Sequence, residues 1–127
     1  MATPRRLRSD RGNAALQTAV ILPGVLLLVF GIIQAGLWFY ARNVAIAAAE
    51  EGSRAAAAVG ASSSEGRMTA AGFTDRVGAS LLRDVSVTAT RGARTATVVV
   101  SGHSVSLIPG IPFRISQSST SPVERTT

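Results

Sequence analysis

The dominant pattern in the chain is a run without a single charge, 29 residues from Asn13 to Ala41. From Ala14 to Tyr40 it is apolar with few interruptions, and ~20 apolar helical residues suffice to cross the hydrocarbon of a bilayer. The pattern predicts a transmembrane helix over 13–41. Nothing ends the helix there. Val44 to Ala49 is Ala-rich and holds no breaker, and Glu50 and Arg54 form an i,i+4 pair in the favourable order. Gly60 and the run Ser62-Ser63-Ser64 mark the stop. One helix over about 14–58 would be ~68 Å long at 1.5 Å per residue, transmembrane first and projecting afterwards. Its Ala-rich projecting faces need a cover.

Beyond the serines the period changes twice. Ser62 and Glu65 have the spacing of a capping box, and Ala70, Phe73, Val77 and Leu81 fall on one helical face. A short amphipathic helix is expected over about 67–83. Val85, Val87 and Ala89 then alternate with Ser86, Thr88 and Thr90, as a half-buried strand requires. Arg91-Gly92-Ala93-Arg94 reads as a turn, and Ala96, Val98 and Val100 as the inward positions of a returning strand. Val105 and Leu107 have the opposite parity, so Gly102 is expected to form a bulge. Ile108 to Phe113, with two prolines and a glycine, breaks regular structure. A short strand near 114–117 precedes a flexible polar tail, 118–127. The fold class expected is α+β and membrane-anchored: a long N-terminal helix, a short amphipathic helix, and an antiparallel β-hairpin or three-stranded sheet over about 85–117.

The ends of the apolar run give an orientation. Trp38-Phe39-Tyr40 followed by Arg42 is an interfacial aromatic belt backed by a cation, and Arg5, Arg6, Arg8 and Arg11 precede the span. The positive-inside rule places the arginine-rich end in the cytoplasm. The division expected is a basic cytoplasmic leader over 1–12, the span over 13–41, a small extracytoplasmic domain over 42–117 and the tail. A cleaved secretory signal is the competing reading. Its apolar core should be 7–15 residues with small residues after it, whereas here the core is longer and aromatics follow.

Composition narrows the chemistry. The chain carries 13 basic and 7 acidic residues, one His and no Cys. Disulfides, thiolate sites and multi-histidine metal sites are excluded. The net charge of +6 divides between the leader and the rest without forming a basic stripe interleaved with aromatics, so nucleic-acid binding is not expected. Gly102-His103-Ser104-Val105-Ser106 superficially resembles a nucleophile elbow, but Ser106 stands where that motif needs Gly. Neighbouring strand residues also point to opposite faces, so His103 and Ser104 cannot form a dyad. Glu50-Glu51 reads as helix surface charge beside Arg42 and Arg54. No enzyme, cofactor or small-molecule substrate is expected. Partners are the lipid bilayer and other membrane proteins. Gly31 and Ala35 form a small-xxx-small pair beside Gln34, continued by Ala45, Ala48 and Ala49, and this face is expected to pack against another membrane protein. A single-pass envelope binding protein is the alternative reading.

Two blocks carry a family resemblance. Arg11-Gly12-Asn13-Ala14-Ala15-Leu16-Gln17-Thr18-Ala19-Val20-Ile21-Leu22-Pro23 and Ala49-Glu50-Glu51-Gly52-Ser53-Arg54-Ala55-Ala56 resemble TadE-like proteins, pseudopilins and accessory proteins of the bacterial tight-adherence pilus. The Pro109-Gly110 turn and Glu124 resemble the family more weakly. The resemblance implies a structural or assembly role in the cytoplasmic membrane, with pilin-like and pilus-assembly proteins as partners. It also implies a prepilin-type leader cut by prepilin peptidase between Gly12 and Asn13. Gln17 and Pro23 would then be leader-type and assembly positions, and Glu51, Gly52 and Arg54 would form a second family block. Gln17 stands where the family pattern has Glu. It keeps the size and hydrogen-bonding capacity of Glu but not the charge that would pair with a neighbour's new amino terminus.

Overall fold

The computed structural model of the chain describes residues 3–78 and 80–126, with side chains from Gly12 onward. The side chains of Arg5, Arg6, Arg8 and Arg11 therefore lie outside the described residues. Five elements follow in order: α1 (Thr3–Ala57), α2 (Ser63–Val77), β1 (Leu82–Arg91), β2 (Thr95–Ser104) and β3 (Phe113–Pro122). The arrangement is α+β, with one helix among the described residues long and apolar enough to cross a membrane. The chain divides into two compact units, Met1–Gln34 and Ala35–Thr127.

Over its described residues the first unit is helix alone. α1 begins ahead of the expected 14 and runs without a break through Pro23. Proline there has no N–H to give to the carbonyl one turn back, and the apolar residues around it supply a strong enough helical context to continue.

The second unit is built on a stripe of small residues. Ala41, Ala45, Ala48, Ala49, Gly52, Ser53, Ala56 and Ala57 recur at helical spacing and are buried on one face of α1. Against that face lie α2 and a three-stranded antiparallel sheet of order β1-β2-β3. The sheet contributes Val98 and Val100 from β2, Ile115 from β3 and Leu82 from β1, with Val87, Ala89, Phe73 and Trp38 around the margin. Alanine adds little side-chain volume, so the sheet backbone can approach the helix closely, and valines fill the space between them.

α2 starts at Ser63 and ends at Val77, whereas the sequence pattern places it over 67–83. The capping box itself forms: the Ser62 hydroxyl accepts from the Glu65 N–H at 3.4 Å, and the Ser62 N–H donates to Glu65 Oε2 at 3.2 Å. The helix therefore begins at once after Ser62. It buries Gly66, Thr74 and, of the expected face, Ala70, with Phe73 at the margin of the core, because close approach to α1 selects small residues over large ones. Val77 remains 45% exposed.

Three strand expectations change as well. The bulge lies in β1, between Arg83 and Ser86, and Asp84 there has φ of 53°. Asp is among the residues that tolerate this left-handed region. Gly102 keeps regular register, opposite Ile115, and the buried parity of β2 runs on unbroken to Ser104. A Cβ at Gly102 would come within 2.8 Å of the Arg83 carbonyl oxygen, so the glycine makes room for the neighbouring bulge. Val105 and Leu107 lie in the loop beyond β2.

The expected flexible tail from residue 118 is in large part strand: β3 runs to Pro122 and pairs with β2 from Ser104↔Phe113 to Thr95↔Pro122. Its Ser/Thr composition conceals the strand, because the stabilising contacts are polar. The buried Ser53 hydroxyl donates to the Glu50 carbonyl at 3.0 Å and lies 3.1 and 2.8 Å from the hydroxyls of Ser119 and Ser121. The chain then closes the end of α1, where the Glu124 N–H donates to the Ala57 carbonyl at 2.8 Å.

Candidate functional site

In the first unit the noteworthy surface is apolar and uncovered. Twelve large apolar side chains between Leu16 and Ile33 are 44–74% exposed. The most apolar 18-residue window has a mean hydropathy of 2.4, and only 6% of it is buried. Complete burial of such a side chain is worth about 1.5–3 kcal/mol, so on the order of 10–20 kcal/mol remains available to an apolar surrounding. A bilayer is a surrounding of that kind, and the helix is long and apolar enough to cross one.

Several predicted positions fall on this segment. Gly12 and Asn13 are exposed, and nothing lies within 4 Å of a Cβ built on Gly12. Gln17 is exposed, while the Thr18 hydroxyl turns back to the Ala14 carbonyl at 2.9 Å. This back-bond satisfies the hydroxyl inside an apolar stretch. Gly31 and Ala35 are exposed with open space around Gly31, whereas Gln34 is buried, 6% exposed. Ala45, Ala48 and Ala49 do not continue an open surface: each is completely buried. The sheet and α2 of this same chain cover that part of the stripe, leaving no alanine there for a second membrane protein.

The residues expected at a membrane interface begin the second unit. Trp38 is partly buried against the core, Phe39 is 56% exposed, and Tyr40 is 45% exposed with its hydroxyl 3.5 Å from the Val77 carbonyl. Arg42 is half-buried.

The second family-like block separates into two roles. Glu51 and Arg54 are exposed, and Arg54 approaches Glu51 at 3.7 Å and Glu50 at 3.9 Å. Such exposed pairs contribute little. Gly52 is different. A Cβ there would come within 2.8 Å of the Gly66 carbonyl oxygen, 2.9 Å of Ala70 Cβ and 3.1 Å of Val98 Cγ1. A Cβ on Gly66 would come within 2.5 Å of Ala56 Cβ and 2.7 Å of the Gly52 oxygen. The two glycines make a backbone-to-backbone crossing of α1 and α2, and neither tolerates a side chain. No local pattern in the sequence singles out Gly66. The signal for its role is the spacing Gly66, Ala70, Thr74, Gly78, a small residue at every fourth position.

A second residue missed by pattern is Arg91, expected within a turn. It ends β1, and its Nη1 donates to the carbonyls of Ala56 at 2.8 Å and Ala58 at 2.9 Å, and also to that of Ala61. A cation on the free carbonyls of a helix C-terminus satisfies both hydrogen bonding and the helix dipole.

The His103 region forms an open hollow of about 440 Å³ lined by Arg83, Asp84, His103, Ser104, Val105, Ser106 and Pro112. His103 Nδ1 is 3.9 Å from Asp84 Oδ2, too far for a hydrogen bond. Ser104 is buried on the opposite face of the strand, with its hydroxyl unpartnered. The geometry activates no nucleophile. Among the described residues, no group of three or more His, Asp or Glu is placed to hold a metal ion.

A single apolar helix followed by a small α+β unit, with the unit folded back on the helix's own alanine stripe, describes the class. Residues 12–54 match the family model of TadE-like proteins, a stretch that overlaps both blocks of the resemblance and runs through the apolar segment to Gly52. No curated protein and no solved structure matches the chain. TadE-like proteins are a structural, pilus-associated family and not a known family of enzymes.

Proposed function

We propose that the chain is a single-pass protein of the bacterial cytoplasmic membrane that serves a tight-adherence pilus-like system as a pseudopilin or assembly factor, through packing and not catalysis. One observation carries the reading: the TadE-like match over residues 12–54 coincides with a helix whose first part exposes a continuous apolar surface. The amino terminus lies in the cytoplasm and the sheet-bearing unit outside, as the Arg5 to Arg11 cluster implies. Prepilin peptidase cuts between Gly12 and Asn13, at an exposed glycine with open space around it. Gly31 and Ala35 offer pilin-like partners a close approach in the membrane.

The test is a deletion strain complemented with the full chain. Surface pili should disappear on deletion and return with the wild-type gene. Unchanged piliation in the deletion strain would overturn the assembly role. Intact mass of the protein recovered from the same membranes should correspond to a chain beginning at Asn13, and a mass that includes Met1 would overturn the cleavage.

A further inference from the structure

The β2–β3 loop, residues 105–112, is not accounted for by the core or by the glycine crossing. Leu107, Ile108 and Ile111 are exposed by 42%, 44% and 48%. Three large apolar side chains at the tip of one loop have an energetic cost in water that a polar loop would avoid. The tip has a defined shape. The Ser106 hydroxyl and the Ile108 N–H are 3.1 Å apart, the Ile111 N–H donates to the Ile108 carbonyl at 3.4 Å, and Gly110 takes φ of 81°.

The place of the loop within the second unit follows from its contacts. At one end, Ala96 clusters with Ala56 and Ala57. Farther along, Gly52 meets Val98 and Ala70, and Gly78 meets Val44 and Leu82. β2 therefore runs back along α1, so that Ser104 and the loop after it lie toward Tyr40 and Trp38. The Val105 N–H donates to the Leu81 carbonyl at 3.1 Å, and the Tyr40 hydroxyl reaches the Val77 carbonyl. Exposed Val77 and Phe39 belong to this same end. So do Arg42, Arg76, Arg83 and Arg114, against Asp75 and Asp84. An apolar tip within an excess of arginine is complementary to acyl chains beneath phosphate headgroups.

We propose that the β2–β3 loop is a second membrane contact, inserting Ile108 and Ile111 into the headgroup–acyl boundary of the leaflet that the Trp38-Phe39-Tyr40 belt marks. The proposal rests on the membrane reading of α1. Two-point attachment would hold the unit at a fixed height on the bilayer, where a helix alone would let it pivot.

The chain has no cysteine, so single-cysteine labelling is clean. The full chain is reconstituted into vesicles of phosphatidylcholine and phosphatidylglycerol, with an environment-sensitive fluorophore on Ile108→Cys, on Leu22→Cys in the apolar segment, or on Ala93→Cys in the β1–β2 turn. Lipids spin-labelled at a shallow acyl position serve as quencher. The Ile108→Cys probe should show a blue shift and lose intensity to the quencher, the Leu22→Cys probe should show a blue shift, and the Ala93→Cys probe should do neither. A blue-shifted Leu22→Cys probe beside an unshifted Ile108→Cys probe overturns the loop contact and leaves the membrane reading standing. A blue-shifted but unquenched Ile108→Cys probe means that protein covers the loop, and this also overturns it. An unshifted Leu22→Cys probe overturns the membrane reading and the loop contact together.

Discussion

Residues 12–34 and 35–57 are consecutive stretches of the same helix, and they satisfy opposite requirements. The first is rich in Leu, Ile and Val, and exposes these side chains on every side. The second is rich in Ala, with Gly52 and Ser53, and buries one face almost completely. The difference is in what each must contact. Lipid conforms to any apolar side chain and needs no shape, so bulk and hydrophobicity suffice. A sheet and a second helix have fixed backbones, so the facing helix must be small at particular positions and can be polar where a hydroxyl finds partners, as Ser53 does with Ser119 and Ser121. One segment is selected for hydrophobic bulk and the other for closeness.

The comparison can be broken most forcefully in the first segment. Leu27→Arg places a charge amid the apolar residues and should make insertion about 3–4 kcal/mol less favourable. Carbonate extraction of membranes should then release the protein, and retention equal to the wild type would show that bulk apolarity is not what holds this segment. In the second segment the sensitive change is a small apolar addition. Gly52→Val forces a side chain into the Gly66 carbonyl and Ala70 and should destabilise the sheet-bearing unit by about 3 kcal/mol. Limited proteolysis would read this as rapid cleavage after residue 60 with membrane retention unchanged. Resistance equal to wild type would mean that the crossing is not tightly packed. The smallest of the three effects sharpens the account of where the second segment ends. Arg91→Ala leaves three carbonyls near the end of α1 without their cation and should cost about 2 kcal/mol. Hydrogen exchange at Val123 and Glu124, whose N–H groups bond beside that terminus, should accelerate, and unaltered exchange would show that solvent replaces the arginine without loss.

The apolar segment, the first two strands and the capping box were legible in the sequence because each is a local or periodic pattern. Charge-free length specifies the span, alternation specifies β1 and most of β2, and Ser62 to Glu65 closes on itself within a single turn. The TadE-like likeness was legible for the same reason, being carried by residues close together in the chain. The candidate site divides along the same line: Gly52 was picked out by resemblance, but its crossing partner Gly66 was not.

What tertiary structure alone decided depends on contacts between distant residues. β3 has a serine-rich sequence that no apolar alternation marks, and it is a strand because β2 offers a ladder and Ser53 offers a hydroxyl from 66 and 68 positions away. The face of α2 that turns inward was set by how close the helices come, which selected Gly66, Ala70 and Thr74 over larger apolar neighbours. The cover on Ala45, Ala48 and Ala49 was likewise undetermined by pattern, since a small-residue stripe fits another protein or the chain's own sheet equally well. Sequence determined which surfaces require a partner, because hydrophobicity and period are properties of residues. Only the fold determined which partner each received, because the free energy of close packing belongs to pairs of surfaces.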